Sequence, residues 1–324
     1  MSVIEARLRE AFGQRVRAGV PLAPLTTFKV GGPADWLIDL QSGGELCLAA
    51  SIGRDAGVRL TILGGGSNVL VADEGVRGLV VRVRGGEVTR HGPDTIRADA
   101  GVTINGLVRW TLLRGIGGLE AWAGTPGTVG GAIFGNAHFH GRLISELVVR
   151  ARLVTGDGSI QDVPVEAMEF GYDYSRLQRT GEVVVSADFR VHEGDPAALR
   201  RVARESLAYR KRTQPLESAS AGCIFQNPDP ARVTLPDGVP ASAGGLVDRA
   251  GLKGARQGAA RVSTRHANFI VNEGGATADD VRALIDRCKR EVRARFGVEL
   301  REEIVYLGFD AGSGKAERHG DLVD

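Results

Sequence analysis

Two glycine-rich stretches, far apart in the chain, constrain the possible folds more than any other feature of the sequence. The first, Leu63-Gly-Gly-Gly-Ser-Asn, follows an apolar run at residues 58–63 that predicts a β-strand. Three consecutive glycines let the backbone turn tightly and aim successive N–H groups at one anion, as in a diphosphate-binding nest. A glycine-rich hairpin turn explains this stretch equally well when it is taken alone. The residues expected to contact a bound phosphate group are Gly64, Gly65, Gly66, Ser67 and Asn68.

The second stretch runs from residue 123 to residue 137 and interleaves glycines with threonines and an asparagine. The first stretch lacks the glycine spacing of the Rossmann fingerprint, and no Gly-Lys-Ser/Thr of a P-loop occurs in the chain. Two phosphate-suited loops in one domain therefore predict a dinucleotide held by irregular loops. The second set of candidate contacts is Gly124, Thr125, Gly127, Thr128, Gly131, Ala132 and Asn136.

Periodicity predicts mixed α and β structure around these stretches. A strand at 35–40, a helix at 45–55 and a strand at 58–63 form a predicted βαβ unit, and strands at 147–155 and 182–191 close the domain. A basic helix at 196–212 is predicted to be a solvated linker. The predicted domains are an N-terminal helix at 1–20, a cofactor-binding domain at 21–195, a C-terminal domain at 196–308 and a disordered tail at 309–324.

Composition excludes several classes of function. The net charge is only +2, and the arginines are scattered along the chain, so the sequence does not indicate a basic surface that binds nucleic acid. The three cysteines, Cys47, Cys223 and Cys288, are too widely spaced for a disulfide framework or a metal-ligand cluster. We therefore expect no metal site and a reducing compartment. Because neither a signal peptide nor a membrane-spanning run is evident, we expect a cytoplasmic protein that does not bind membranes.

The segment from Ala219 to Pro228, Ala-Ser-Ala-Gly-Cys-Ile-Phe-Gln-Asn-Pro, presents one thiol among small residues and amides. Cys223 is either a buried free cysteine in a tight turn or a reactive protic group. Near the C-terminus, Glu303 shares a strand face with Val305 and Leu307, which can turn its carboxylate toward an enclosed site. An exposed strand carboxylate is the alternative for Glu303.

Seven motifs in order make this sequence resemble the UDP-N-acetylenolpyruvoylglucosamine reductase family over residues 21–308. They include Thr27-Phe-Lys-Val-Gly-Gly, both glycine-rich stretches, the Cys223 segment, Ala250-Gly-Leu-Lys-Gly, His266-Ala-Asn-Phe-Ile-Val-Asn and the segment beginning at Phe296. The resemblance implies an α+β fold, with a two-subdomain FAD-binding domain of the vanillyl-alcohol-oxidase (PCMH) type and a C-terminal α/β substrate domain. It implies a flavoenzyme that uses NADPH to convert UDP-N-acetylglucosamine enolpyruvate to UDP-N-acetylmuramate in peptidoglycan synthesis.

The resemblance also assigns catalytic roles. Cys223 matches the proton donor, where most members carry serine, and a thiol is a stronger acid than a hydroxyl. Glu303 matches the carboxylate that assists the intermediate. Asp173 occupies a third catalytic position where the family pattern has arginine, and it should repel negative charge if it points inward. Arg176, three residues further on, is a candidate replacement cation.

The remaining expectations concern the substrate and other ligands. Tyr172, Arg176, Gln226 and Asn227 are expected to contact the UDP-sugar, with Gln226 standing where a lysine is usual. His138 and His140 are expected to be surface histidines of a loop. We expect FAD as cofactor, NADPH as co-substrate and a monomer. Two alternatives stay open, which are a flavoenzyme of the same fold with another substrate and a flavin-binding paralogue without the reaction.

Overall fold

The fold is described from a computed structural model, which covers residues 2–231, 233, 235 and 238–309. The predicted disordered tail lies outside the described residues, except for Phe309. In the described ranges, no helix combines the length and apolar character needed to cross a membrane.

The first unit is a four-stranded mixed sheet covered by two helices. The strand order is β1-β2-β5-β3, with β1 antiparallel to β2 and the other pairs parallel. β2 and β3, which are joined through α2, both run parallel to β5, which lies between them, and this arrangement confirms the predicted βαβ unit. Its elements are α1 (Val3–Phe12), β1 (Arg17–Pro21), β2 (Pro33–Leu40), α2 (Gly43–Asp55), β3 (Leu60–Ile62), β4 (Val69–Val71) and β5 (Val76–Val83).

The N-terminal helix is part of this first unit. Ile4, Leu8 and Phe12 lie one helical turn apart, and all three are buried in the same apolar core as Leu46 of α2. The chain then enters β1, which pairs with β2. The boundary predicted between residues 20 and 21 is therefore misplaced, because it falls inside β1.

The second unit is an antiparallel five-stranded sheet in the order β12-β11-β13-β7-β6, with helices packed on one face. Trp122 and Phe189 are the largest side chains buried in its core. Its elements are β6 (Val88–Arg90), β7 (Thr95–Asp99), α3 (Ile104–Leu112), β8 (Ile116–Gly117), α4 (Val129–Phe134), β9 (His138–Phe139), β10 (Arg142–Leu143), β11 (Val148–Val154), β12 (Ile160–Pro164), α5 (Leu177–Thr180), β13 (Val183–Arg190) and β14 (His192–Glu193).

The C-terminal part combines three helices with a small antiparallel sheet in the order β15-β16-β17. Thr277 and Asp280 form the predicted capping box of α8, Gly297 ends that helix in a left-handed conformation, and Cys288 is buried in the core as expected. The elements are α6 (Pro196–Thr213), α7 (Ala243–Arg249), β15 (Arg256–Gln257), β16 (Ala260–Val262), β17 (Ile270–Asn272), α8 (Ala278–Phe296) and β18 (Val305–Leu307).

The last strand returns to the first unit. β18 pairs in parallel with β4, so that Val305 lies opposite Val69 and Leu307 opposite Val71. Only Val305–Leu307 is strand, whereas the sequence predicts one from residue 298. Since β4 begins just after the first glycine-rich stretch, this pairing brings the Glu303 segment beside that stretch.

Candidate active site

The two glycine-rich stretches pack directly against each other. A Cβ added to Gly65 would lie 2.7 Å from the Cα of Gly127, and one added to Gly64 would lie 2.8 Å from Thr128 Oγ1. In the reverse direction, a Cβ on Gly127 would lie 2.8 Å from Ser67 Oγ. Only glycine permits such an approach of backbone to backbone. The two loops therefore form one continuous surface of backbone groups and small hydroxyls.

The first glycine loop is also tied to the Cys223 segment. The Thr27 N–H donates to the carbonyl oxygen of Gly66 at 2.9 Å, and the Thr27 hydroxyl donates to that of Ser220 at 2.7 Å. On the other side, the Asn68 amide donates to the carbonyl oxygen of Glu303 at 3.2 Å. The sequence-predicted cofactor loop thus contacts both segments that carry predicted catalytic residues.

Cys223 and Glu303 lie on neighbouring extended segments. The N–H of Ile224 donates to the carbonyl oxygen of Asn268, and the N–H of Glu303 donates to that of Ile224, each at 2.8 Å. Gly222 has a φ of +80°, a value that favours glycine and turns the chain just before Cys223. The backbone around both catalytic candidates is therefore fixed by hydrogen bonds on two sides.

The Cys223 thiol is held in its neutral form. Burial raises its pKa well above the ordinary value of 9.0, and the negative charges of Glu303 and Asp173 raise it further. A hydrogen bond from Asn268 and the positive charge of Arg210 oppose this rise only in part. At neutral pH the sulfur atom keeps its proton.

Asp173 points into the same region. It lies in a tight turn in which Gly171 and Tyr174 exchange backbone hydrogen bonds, and its φ of +52° is one that aspartate tolerates better than most residues. The residue is 6% exposed, and Oδ1 contacts His138 Nδ1 at 2.8 Å. Its second oxygen, Oδ2, is buried without a hydrogen-bond partner among the described residues. Asp173 therefore points inward, which is the orientation in which its charge is expected to repel negative charge in the site.

His138 is not the surface histidine expected from the sequence. Its side chain is 25% exposed, and its ring packs 4.9 Å from that of Tyr172, measured between centroids. Burial lowers the pKa of His138, but the hydrogen bond and charge of Asp173 outweigh it, so that the pKa is raised above 6.5. Burial, with Asp173 next, raises the pKa of Tyr172 to about 12. His140 is exposed, as predicted.

Arg210 of α6 is the site residue that sequence reasoning missed. It is 5% exposed, Nη2 donates to Thr125 Oγ1 at 2.7 Å, and the guanidinium lies 3.5 Å from the centroid of the Phe139 ring. Within the described ranges, its Nε has no hydrogen-bond partner. Burial lowers its pKa to about 10, which still leaves it protonated at neutral pH.

A signal for Arg210 is present in the sequence of α6. Leu199 and Ala203 are buried, and Arg210 follows on the same helical face, so a charge falls on an apolar stripe. α6 packs along this face on the 3-10 turn Glu120–Trp122 of the second unit. The prediction that this helix is a solvated linker is therefore wrong for that face.

Two residues that the sequence predicts to contact a ligand bind other protein groups instead. The guanidinium of Arg176 forms a bidentate ion pair with Glu182, at 2.6 and 2.8 Å, and donates to the carbonyl oxygen of Ala167. It therefore does not replace a missing cation in the site. Asn136 is fully buried and uses its amide to donate to Gly171 and to accept from the N–H of Ser145. It supports the loop rather than offering groups to a ligand.

The amides that follow Cys223 have structural partners as well. Asn227 Oδ1 accepts a hydrogen bond from the N–H of Ala243 at 3.0 Å, at the start of α7. The backbone N–H of Gln226 donates to the carbonyl oxygen of Arg301 at 2.9 Å. Both residues lie at the exit of the Cys223 segment, where the sequence places substrate contacts.

Comparison with known protein families finds two matches, one in the N-terminal part of the chain and one in the C-terminal part. Residues 35–164 match a family described as an FAD binding domain. Residues 214–307 match the C-terminal domain of UDP-N-acetylenolpyruvoylglucosamine reductase. The two matches together confirm the predicted order of an FAD-binding domain followed by a C-terminal domain.

Similar whole proteins carry the same name. A "UDP-N-acetylenolpyruvoylglucosamine reductase 2" from Symbiobacterium thermophilum is 39% identical over 95% of this chain and 98% of its own length. The Bacillus subtilis UDP-N-acetylenolpyruvoylglucosamine reductase is 37% identical over 95% of this chain and 99% of its own. The crystal structure of the reductase from Thermus caldophilus superimposes with a TM-score of 0.75 at 34% identity, covering 90% of this chain and 99% of that one.

Proposed function

This chain belongs to the UDP-N-acetylenolpyruvoylglucosamine reductase family, and from that premise we propose how its own residues carry out the reaction. It is an FAD-dependent oxidoreductase of peptidoglycan synthesis that uses NADPH and converts UDP-N-acetylglucosamine enolpyruvate to UDP-N-acetylmuramate. The residue assignments rest on the arrangement of the site.

The joined glycine loops fit a dinucleotide cofactor. Side chains are absent where Gly65 and Gly127 meet, and the neighbouring groups are backbone amides and the hydroxyls of Ser67 and Thr128. Such groups suit the diphosphate of FAD, since they donate hydrogen bonds without adding bulk. We assign residues 64–68 and 124–132 to its binding. FAD held by these loops would supply the redox chemistry, which is the transfer of hydride from NADPH to the enolpyruvyl double bond.

Cys223 is assigned as the proton donor. Reduction of a carbon–carbon double bond needs one hydride and one proton, and the neutral thiol of Cys223 supplies the proton to the carbon beside the one that receives hydride. The Gly222 turn and the hydrogen bonds of Ile224 hold the thiol in position. Glu303, on the adjacent segment, is assigned as the carboxylate that assists this transfer.

Arg210 is assigned as the cation of the site. Its buried guanidinium lies at the second glycine loop, through Thr125, and it acts electrostatically on Cys223. A fixed positive charge there stabilises negative charge that develops on the substrate carboxyl group during hydride transfer. Arg176, the earlier candidate, is held by Glu182.

Tyr172, Gln226 and Asn227 are assigned to the substrate side of the site, because Gln226 and Asn227 follow Cys223 in its segment and the Tyr172 ring packs on His138. Asp173 is assigned to the catalytic cluster through its contact with His138. We further propose that the enzyme works in the cytoplasm as a monomer without nucleic-acid partners. Size-exclusion chromatography with light scattering tests the monomer assignment.

The observation that carries these assignments is the hydrogen-bonded row that joins the first glycine loop, Cys223 and Glu303. Purified protein should be yellow, should be bleached by NADPH under anaerobic conditions, and should oxidise NADPH steadily only when the enolpyruvyl substrate is present. NADPH oxidation that is indifferent to this substrate would contradict the assigned reaction.

A further inference from the structure

We propose that His138, Asp173 and Glu303 form a binding site for one divalent cation of the Zn²⁺ or Mn²⁺ class, beside Cys223. The three side chains come from three separate parts of the chain, which are β9, the tight turn before α5 and the segment before β18. One ligand-type atom from each lies within 4.8 Å of the other two.

The distances suit a cation after a small adjustment. Metal–ligand bonds of about 2.1 Å place neighbouring ligands roughly 3.0–3.5 Å apart. The His138–Asp173 pair is already at 2.8 Å, and the ligand atoms of all three residues lie within 4.8 Å of one another, so that movement of the Glu303 carboxylate by at most about 2 Å closes the set. Glu303 lies on an extended segment with a fixed backbone, which leaves its side chain as the part that moves.

An unpartnered ligand atom points to an occupant. Asp173 is 6% exposed, and its Oδ2 is buried without a hydrogen-bond partner in the described part of the chain. A buried carboxylate oxygen without a partner is costly, and a bound cation removes that cost. The left-handed backbone of Asp173 is over-determined by its turn, as expected where a side chain must be aimed.

Charge balance also favours a cation. Two carboxylates, Asp173 and Glu303, face one imidazole in a partly enclosed space. The positive charge of Arg210 acts on this cluster from the Thr125 side, but its guanidinium is hydrogen-bonded to Thr125 and stacked on Phe139. A divalent cation would neutralise both carboxylates at once.

The donor set selects the class of metal. One imidazole nitrogen and two carboxylates suit Zn²⁺ and Mn²⁺ better than Mg²⁺ or Ca²⁺, which prefer oxygen ligands alone. Cysteine spacing gave no hint of such a site, because no cysteine is among its ligands and the three residues are distant in sequence. The expectation of no metal site rested on that spacing.

The role of the cation rests on the proposed function, whereas its binding does not. An enolpyruvyl substrate carries a carboxylate, and a cation held by His138, Asp173 and Glu303 would attract it toward Cys223. If a cation binds but does not change turnover, the binding site is supported and only its role in attracting the substrate is contradicted.

The test is isothermal titration of the flavin-containing protein, stripped of metal by a chelator, with ZnCl₂ and separately with MnCl₂. We expect one saturable site that is weakened at least tenfold by His138→Ala and by Asp173→Asn. His140→Ala, which removes an exposed histidine from the same loop, should leave the affinity unchanged. The flavin spectrum of each variant reports whether it has folded.

Two results would overturn the proposal. The first is that wild-type protein binds neither cation saturably. The second is equal affinity for wild type, His138→Ala and Asp173→Asn, which would indicate an adventitious ion only. Elemental analysis of the protein as purified provides a second readout, with about one equivalent of metal expected in wild type and a loss in both variants.

Discussion

Cys223 is suited to donate a proton because its surroundings keep it a thiol. A serine hydroxyl at this position would be a much weaker acid than a cysteine thiol, whose ordinary pKa is 9.0. Burial and the charges of Glu303 and Asp173 move the pKa upward, so the thiolate fraction at neutral pH is small. Oxidation, which proceeds through the thiolate, is correspondingly slowed. The susceptibility to oxidation that comes with cysteine in place of serine is therefore limited by the same residues that line the site.

Cys223→Ala should separate the two halves of the reaction. We expect NADPH to bleach the flavin as in wild type, and product formation to fall by about 10²–10⁴-fold, the usual contribution of a general acid. Stopped-flow absorbance follows the first half and chromatography of the product the second. Cys47→Ala, at a half-buried cysteine in α2, is the matched control. Unchanged turnover in Cys223→Ala would refute the proton-donor role.

Arg210→Gln should lower kcat/KM by about 10²–10³-fold, because it removes a fixed charge aimed at developing negative charge. Arg204→Gln changes an exposed arginine of the same helix and should have no more than a twofold effect. Steady-state kinetics with both substrates measures the effect. If Arg210→Gln matched its control while retaining flavin, the cation of the site would have to be sought elsewhere.

At the scale of elements, the features that depend on interactions between residues close in sequence could be predicted from the sequence. The βαβ unit, the capping box of α8 and the glycine loops all follow from short-range periodicity, capping and backbone freedom. The pairing of His138 with Asp173 could not be predicted in this way, since two loops distant in sequence create it. Arg210 was missed because its helix was judged by net charge rather than by the face on which each charge lies.

Gly65→Ala should abolish or severely weaken flavin binding. Its added Cβ would lie 2.7 Å from the Gly127 Cα, so the two loops must separate. Gly44→Ala in α2 adds a methyl group that meets no atom closer than 4.0 Å and serves as the control. The ratio of flavin to protein absorbance after purification gives the result. Full flavin content in Gly65→Ala would show that contact between the loops is not needed to bind the cofactor.

The sheet of the second unit is joined by a charged cluster on three neighbouring strands. Asp188 of β13 is 1% exposed and accepts hydrogen bonds from Arg97 of β7 and Arg150 of β11, its cross-strand neighbours. Burial raises the pKa of Asp188, but these hydrogen bonds and charges outweigh it, and the pKa is lowered below 3.8. The cluster therefore stabilises the folded state when Asp188 is ionised.

Asp188→Asn should reduce the free energy of unfolding at pH 7 by on the order of 2 kcal/mol, a value discounted because both arginines are partly exposed. Because the pKa of Asp188 is lower in the folded state than in the unfolded state, its contribution to stability is fully present at pH values above the unfolded-state pKa. It is lost as the pH falls through the folded pKa. Urea unfolding of wild type and variant from pH 7 to pH 3 should show their difference shrinking below about pH 4. A difference that does not change over this range would contradict the assignment.

The whole molecule is organised so that segments distant in the sequence complete one site. β18 adds to β4 of the first unit, and Phe28, Val30 and Leu70 of that unit are buried in the core of the C-terminal part. Cofactor loops and the catalytic segment are thus connected through one shared core rather than through a hinge. Flavin and substrate should therefore meet at a site whose backbone segments are held in place before either binds.

The most direct test of this account is a single-turnover experiment on the wild-type protein. Flavin reduced by NADPH without oxygen is mixed with UDP-N-acetylglucosamine enolpyruvate, and the recovery of flavin absorbance is followed. We predict full recovery with one equivalent of UDP-N-acetylmuramate formed per flavin. A protein that is colourless and takes up no FAD, or a reduced flavin that this substrate leaves bleached, would contradict the account.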